Sequence, residues 1–496
     1  MLLTPLLVVA LAQPAHPAQP AGQNASTPTP PQAAALPAPQ SAAHWKGSIE
    51  LPGGRSLTFI LTVTAPDAAT IAIPDQNLPD TPLTDVSVSS GAMKFKLTIP
   101  GAPPGANPVF DLTIDPAGEA RGTMQQSGLT LTAVAKPLAA GESAAPSRPQ
   151  TPVPPFPYST REVSYSSFDG AAINGTLTLP APTGNTGAKP PCVLFITGSG
   201  LQDRDETLFS HKPFAVIADA LARAGIASLR VDDRAWNGAK NPAGDDVSTE
   251  TFALDTACGV DFLTGRPDID PARIGLIGHS EGGLIAPAVA ARKPESVSFI
   301  VLLAGPGVTG REVLERQLVA ILRSQGAPEE RIAAAAERQK RLLAAVTAGD
   351  DAAVRRAVRE GLQENDPTGS MKGPALEQAV EIAMKRTSSP WMRHFLTRDP
   401  REDLRKVRCP VLVLNGSKDA QVVAEQNVPE VVKALLAGGG GNTAVTARVF
   451  PNLNHLFQPV GDNGTGGVDE YGRIETTTDP EALVCITQWV KQTTKP

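Results

Sequence analysis

A chain of 496 residues exceeds what one hydrophobic core fills, so two domains with connecting segments are expected. A formal net charge of −6, 41% apolar against 19% charged residues, and no run of lysines or arginines give no electrostatic footprint for nucleic acid or an anionic membrane. No uninterrupted apolar stretch is long enough to cross a bilayer, so no membrane span is expected.

The first residues, "MLLTPLLVVALAQPA", have the apolar core of an export signal, with Ala10-Leu11-Ala12 as a small-x-small cleavage site. The basic segment that normally precedes such a core is missing, so the signal assigned to 1–12 is atypical; an apolar disordered terminus is the alternative reading. It predicts a periplasmic or extracellular protein. Residues 13–43 open on "QPAHPAQPAGQNASTPTPPQAAALPAPQ", a Pro/Ala-rich tether that cannot bury a core. Cys192, Cys258, Cys409 and Cys485 are widely spaced and form no C-x-x-C pair, so neither zinc nor a redox motif is indicated, and buried thiols are expected. Export would permit a disulfide, whose pairing spacing does not specify.

Residues 44–137 read as a small antiparallel all-β domain. Its expected strands are "SIELP", "LTFILTVT", "DVSVSS", "MKFKLTI", "PVFDLTID", "ARGTMQQ" and "LTLTAVA", with apolar and polar residues alternating in several. Its one histidine is His44, and no acids cluster there, so no chemistry is expected; ligand binding and a spacer role stay open. A Pro-rich hinge over 138–157 follows. From 158 to 496 strands alternate with helices. Continuous aliphatic runs such as "CVLFI", "IVLL" and "VLVL" are what strands buried on both faces of a parallel sheet require. The fold class is therefore α/β, with eight strands. Residues from about 308 to 400 carry Arg/Ala/Glu-rich helical sequence without a convincing strand, and predict an inserted helical cap.

The chemistry concentrates in "RIGLIGHSEGGLIAPAVAAR" (273–292). Ser280 falls between an aliphatic strand and an alanine-rich helix, with Gly278, Gly282 and Gly283 beside it. This G-x-S-x-G in a strand-to-helix context is that of a nucleophile held on a strained turn; a serine capping the helix is the bland alternative. A serine hydroxyl needs a base. Of His16, His44, His211, His279, His394 and His455, only His455, in "VFPNLNHLFQP" after the last strand, satisfies the chain order nucleophile, acid, histidine. His279 is the variable residue of the motif. Asp419 ends the strand "CPVLVLNGSKD" and is the expected acid, with Glu425 as fallback. Asp350, Asp351 and Asp366 read as solvated cap charges, and Asp399 and Asp403 lie at the wrong end of the strand. The backbone N–H groups of Glu281 and of Ser199, in the "TGSG" turn, are the expected oxyanion donors. The charged loops "DRDE" (203–206) and "DDR" (232–234) are expected to pair with each other and hold that turn.

These segments resemble the bacterial α/β-hydrolase esterases in which a small β domain precedes the hydrolase domain, a superfamily that also contains serine aminopeptidases and prolyl peptidases. The resemblance runs through "SIELPGG", "IPDQ", "GTMQQSG", "TGSGLQDRDET", "LRVDDR", "DPARIGLIGHSEGGLIAP", "LNGSKDAQV", "NLNHLFQ" and "EYGRIETT". It implies the α/β-hydrolase fold, the triad Ser280, Asp419 and His455, no metal or cofactor, and carboxylesterase activity on short acyl esters. Two departures stand out. Trp236 occupies a position where the family has a small residue, which predicts a reshaped acyl pocket, and Thr197 stands where proline is common. A peptidase of the same fold, and an exported binding protein with a degenerate hydrolase domain, are the competing readings.

Overall fold

The computed structural model describes residues 43–51, 55–76, 78–99, 106–126, 129–138, 147–182, 188–244, 247–364, 372–438 and 441–495. The export segment and almost all of the tether lie outside the described residues. The chain divides into two compact units, with the boundary between Ser147 and Arg148.

The first unit contains nine strands: β1 (Ala43–Leu51), β2 (Arg55–Ala65), β3 (Ala68–Ile73), β4 (Leu78–Pro82), β5 (Thr84–Val88), β6 (Ala92–Lys96), β7 (Val109–Ile114), β8 (Ala120–Gln126) and β9 (Leu129–Pro137). They form one antiparallel sheet in the order β4-β3-β2-β1-β9-β8-β7-β6-β5. Strands β4 and β5 stand at opposite ends of that order yet are joined by Leu83 alone, so the sheet must curl until its edges meet. The Leu83 N–H donates to the Ala69 carbonyl (3.0 Å) and that of Val88 to Pro66 (2.8 Å), across the seam. Phe59, Phe95 and Phe110 fill the inside together with Ile49, Leu61, Ile71, Met93 and Leu112; the Phe95 and Phe110 rings stack 4.6 Å apart. Sequence reading missed β3 and β4. Strand β4, "LPDTP", carries two prolines, which a sheet tolerates at an edge, where β4 lies.

The second unit begins with residues expected to be hinge. Arg148 donates to the carbonyls of Phe209 and Gly472 (both 2.8 Å), and the Gln150 carboxamide bonds the backbone of Thr477 and Thr478 (2.7–3.0 Å). The prolines do exclude helix and strand here, but long polar side chains dock the segment onto the hydrolase unit. Only 139–146 of the expected hinge lie outside the described residues.

Eight strands follow: β10 (Ser159–Ser166), β11 (Ala172–Leu179), β12 (Cys192–Ile196), β13 (Ala227–Val231), β14 (Ile274–His279), β15 (Phe299–Leu303), β16 (Val411–Gly416) and β17 (Val445–Phe450). Their order is β10-β11-β13-β12-β14-β15-β16-β17, with β11 running against all the others. Strands β12, β14, β15 and β16 are buried along their whole length, as their aliphatic runs predict. Helices α1 (Pro213–Arg223), α2 (Thr249–Thr264) and α3 (Gly282–Arg292) connect the first parallel strands. The chain winds from β12 to β13 on one side and then back to β14 on the other. That reversal opens a crevice beyond the C-terminal ends of β12 and β14.

Between β15 and β16 the described residues form helices alone: α4 (Gly310–Ser324), α5 (Glu329–Ala348), α6 (Asp351–Glu364), α7 (Gly373–Thr387), α8 (Pro390–Thr397) and α9 (Arg401–Leu404). This is the expected cap. Thr309 starts it with a capping box, its hydroxyl taking the Glu312 N–H (3.3 Å) while the Glu312 carboxylate takes the Thr309 N–H (2.9 Å). Leu314, Leu342, Val346, Val380 and Phe395 pack into a core of the cap's own, seated on Leu284 of α3. Helices α10 (Ala424–Leu436), α11 (Val468–Tyr471) and α12 (Pro480–Thr493) complete the unit. Cys192 is buried, the other three cysteines are half-buried, and all four are free thiols. No helix among the described residues is long and apolar enough to cross a membrane.

Arg234, just after β13, is 1% exposed and pairs with Asp255 on α2 (2.7 Å) and Asp169 in the β10–β11 turn (2.8 Å). Removing the cation leaves two acids facing each other in a buried site. Arg234→Met is expected to lower unfolding free energy by about 3–5 kcal/mol in denaturant titration; a loss below about 1 kcal/mol would mean that solvent reaches the pair.

Candidate active site

Ser280 sits in the single-residue step from β14 to the N-cap of α3, with φ +53°, a left-handed conformation that a non-glycine residue rarely holds. Two hydrogen bonds fix it: its N–H donates to the Leu303 carbonyl (2.9 Å) and its carbonyl accepts from the Gly283 N–H (2.8 Å). The flanking glycines are required by close approach. A Cβ on Gly278 would stand 2.1 Å from the Gly282 carbonyl oxygen, and one on Gly282 would stand 2.3 Å from that of Ile196 at the end of β12.

His455 follows β17 in a tight loop. Its shape is set by the Asn454 side chain, which accepts from the N–H groups of Leu456 and Gln458 (both 3.0 Å). His455 Nδ1 lies 2.8 Å from Asp419 Oδ2, and both residues are about 95% buried. The other oxygen, Oδ1, accepts the N–H groups of Gln421 and Val422 (both 2.8 Å). A carboxylate so placed accepts only, so Nδ1 carries the ring proton and Nε2 keeps its lone pair. The acid turn and the histidine loop are drawn together by the Lys418 N–H, which donates to the Leu453 carbonyl (2.9 Å). Gly416 permits this, because a Cβ there would meet that same carbonyl oxygen at 2.1 Å.

The turn after β12 lies against Ser280: a Cβ on Gly198 would come within 3.2 Å of the serine's Cβ. Two acids, the buried Glu206 and the half-buried Asp233, shape the turn. Asp233 accepts from the Thr197 hydroxyl and the Gln202 N–H (both 2.8 Å), and burial pushes its carboxyl well above the usual range. Glu206 Oε1 accepts the Gly198 N–H (2.7 Å). Thr197, where the resembled family has proline, thus supplies a hydroxyl that holds Asp233. The expected pairing of the charged loops is present as Arg204 with Asp232, through the Arg204 Nη2 (2.6 Å) and Nε (3.0 Å).

Sequence reading gave His279 and Glu206 no individual role at the site. The His279 ring is 5% exposed, with Nδ1 2.9 Å from Glu206 Oε1 and Nε2 3.0 Å from the backbone carbonyl of His455. The His455 carbonyl only accepts, so Nε2 donates to it; with Glu206 ionised, Nδ1 donates as well, which makes His279 an imidazolium paired with Glu206. Burial works against that charge, but the Glu206 carboxylate outweighs it and raises the histidine's pKa. The His279 and His455 rings lie 4.8 Å apart. The glutamate therefore links the turn after β12, the residue before Ser280 and the backbone of His455. A histidine inside G-x-S-x-G and an acid eight residues beyond Gly198 were the available signals; their meeting depends on the fold.

Glu281, the residue after Ser280, is 3% exposed, and its carboxylate receives the Thr249 hydroxyl (2.6 Å), the Trp391 indole N–H of cap helix α8 (2.8 Å) and the Ser199 hydroxyl. The cleft over Ser280 is bounded by Ser199, Glu281, Leu314, Gln317, Trp391 and Phe395 among others. Trp236 does not line it, so the pocket change expected from that residue is not found there. The fallback acid Glu425 lies in the first turn of α10 and takes no part in these contacts. His211 is buried against Thr477 (2.8 Å) and the Tyr471 carbonyl (3.1 Å), where burial lowers its pKa to about 4. His394 belongs to cap helix α8.

A strained serine between a parallel strand and a helix, with a histidine–aspartate pair beyond later strands, defines the hydrolases built on this doubly wound sheet. A model of the alpha/beta hydrolase family matches residues 193–461, and the chain belongs to that family. The chain is 27% identical over 285 residues to the esterase EstD of Thermotoga maritima, a stretch covering 58% of each protein. It is 31% identical over 134 residues to an uncharacterized protein of Mycobacterium tuberculosis, 27% of this chain and 42% of that one. The chain thus spans little more than half the length of the first of these relatives and less of the second. Among solved structures it is similar to a dienelactone hydrolase from Anabaena variabilis, at 18% identity and a TM-score of 0.37, covering 68% of this chain and 97% of that one.

Burial raises the Glu281 carboxyl above its ordinary value of 4.5, against the hydrogen bonds it receives. A group that holds its proton more tightly folded than unfolded makes its charged form weigh against folding, increasingly as pH rises from the unfolded to the folded pKa. Glu281→Gln keeps the shape and does not titrate. Its Tm relative to the parent should therefore shift upward between about pH 4 and about pH 8; a difference constant across that range would contradict this.

Proposed function

We propose that this protein is a serine hydrolase that cleaves carboxylic esters of short acyl chains through an acyl-enzyme, with Ser280 as nucleophile, His455 as base and Asp419 as its orienting acid. The observation that carries the reading is the 2.8 Å contact between the aspartate and His455 Nδ1, which leaves Nε2 as a proton acceptor. In the first step Nε2 takes the Ser280 hydroxyl proton as Oγ bonds to the ester carbonyl carbon. The oxyanion is received by the N–H groups of Ser199 and Glu281. Gly198 is unsuited to that role, because its N–H is committed to Glu206. Collapse expels the alcohol oxygen, which takes the proton from His455. Water then gives a proton to Nε2 and attacks the acyl carbon, Ser280 regains its proton, and the carboxylic acid leaves. The name of the Thermotoga relative favours esters, and the bulk of Trp391, Phe395 and Leu314 around the cleft favours short acyl groups. We also propose export to the periplasm or exterior, from the apolar first residues.

An acyl-length series of p-nitrophenyl esters tests this directly. Wild type should favour chains of about two to six carbons, and Ser280→Ala should lose about 10³-fold or more in kcat. Faster turnover of aminoacyl or X-Pro anilides would make the enzyme a peptidase, and equal labelling of both forms by a fluorophosphonate probe would remove Ser280 from the chemistry.

Glu206 and His279 act in this scheme as positioning residues. With Glu206→Gln the imidazolium loses its counter-charge, and a neutral His279 cannot donate from both nitrogens. The variant should lose roughly 10- to 100-fold in kcat, the equivalent of a hydrogen bond to a charged group, with KM within about two-fold. His279→Gln, which still offers a donor to the His455 carbonyl, should retain more kcat than His279→Leu. A loss confined to Tm, with kcat unchanged, would limit both residues to a structural role.

A further inference from the structure

Among the polar groups lining the cleft over Ser280, one belongs to neither the triad nor the oxyanion turn and has a buried oxygen without a partner among the described residues. Gln317, on cap helix α4, is 4% exposed, lines the cleft, and its side-chain oxygen has no hydrogen-bond partner among the described residues. Around it stand the apolar side chains of Val313, Leu314, Trp391 and Phe395. Its neighbours' side-chain donors are directed elsewhere. The Gln421 amide donates to the Tyr471 hydroxyl (3.0 Å), the Trp391 indole donates to Glu281 (2.8 Å), and Glu281 also takes the Thr249 and Ser199 hydroxyls. A buried carbonyl oxygen without a donor is costly, and native proteins nearly always satisfy one.

We infer that Gln317 is the specificity-determining residue of the cleft, and that the physiological ester carries a hydrogen-bond donor, a hydroxyl or an amide N–H, which the Gln317 side-chain oxygen accepts. This deepens the ester-hydrolase reading and rests on it. A simple alkyl ester would leave the oxygen buried and unpaired, whereas a donor-bearing ester satisfies it inside walls that exclude competing water. Sites built to hydrogen-bond a substrate group discriminate against analogues lacking it far more strongly than apolar pockets discriminate by size.

The test pairs esters that differ in one hydroxyl. On the acyl side these are p-nitrophenyl butyrate and p-nitrophenyl 3-hydroxybutyrate; on the alcohol side, ethyl butyrate and 2-hydroxyethyl butyrate, followed by acid release. In wild type at least one hydroxylated member should exceed its partner by about ten-fold or more in kcat/KM. In Gln317→Met, which keeps the length and removes the acceptor, that preference, read as the ratio of the two kcat/KM values within the variant, should fall to about two-fold or less. The inference is overturned if neither hydroxylated ester is preferred by wild type, a result that needs no variant to fold, or if the preference survives in Gln317→Met. Failure of the underlying reading looks different: no ester of either kind would be turned over by wild type, or Ser280→Ala would turn them over equally.

Discussion

Strand β14 and helix α3 meet without space for a side chain between them, and the site depends on that contact. Gly278 faces the carbonyl of Gly282, Gly282 faces that of Ile196, and a Cβ on Gly283 would stand 2.5 Å from the Cα of Gly305 after β15. The chain must therefore turn within one residue, and that residue takes the left-handed conformation. Such a conformation costs on the order of 1–3 kcal/mol and persists only where the surroundings over-determine it. Here the Leu303 carbonyl on the neighbouring strand and the Gly283 N–H in the first turn of α3 do so. Because β12 ends against Gly282, the same contact brings the turn after β12 beside Ser280.

Around that turn, loops are tied down by buried and half-buried acids accepting backbone N–H groups. Glu206 takes Gly198, Asp233 takes Gln202, and Asp419 takes Gln421 and Val422. Each acid gives its second interaction to a side chain: Asp233 to Thr197, Asp419 to His455, and Glu206 to His279 through the oxygen that also holds Gly198. Hydrogen bonds shielded from bulk water face little competition from it and so hold these loops firmly. Loops at the C-terminal ends of β12, β14 and β16, and the loop after β17, are thereby locked to one another by side chains as well as by the sheet.

The parts of this arrangement that follow local rules were legible in the sequence. Aliphatic runs buried on both faces give β12, β15 and β16, and a serine between "RIGLIGH" and "EGGLIAPAV" marks the strand-to-helix turn. Chain order selects Asp419 and His455, which the structure pairs. Parts that depend on distant segments meeting were not legible. Nothing local to Glu206 announces that it reaches Gly198 and His279, and nothing in "SRPQTP" announces that Arg148 and Gln150 dock on backbone more than 300 residues away. Strand β4 was hidden for a different reason, since its prolines argue against a strand until its edge position is known. Alternating strands between two Pro-rich segments predicted a separate β domain, but the curling of its sheet came from the adjacency of β4 and β5.

The cap shares its anchor with the turn at Ser280. Leu284, in the first turn of α3 and four residues beyond Ser280, seats the cap core, and Glu281 binds the Trp391 indole of α8. Swinging the cap away would expose a leucine, about 1.5–3 kcal/mol, and break a hydrogen bond to a buried carboxylate, about 1.5–3 kcal/mol. Together these come to roughly 3–6 kcal/mol, enough to keep an opened form below about one molecule in a hundred. The walls contributed by α4 and α8 are therefore held in fixed register with Ser280. In that register Gln317 of α4 lines the same cleft as Ser280, and the helix that follows Ser280 also seats the cap core.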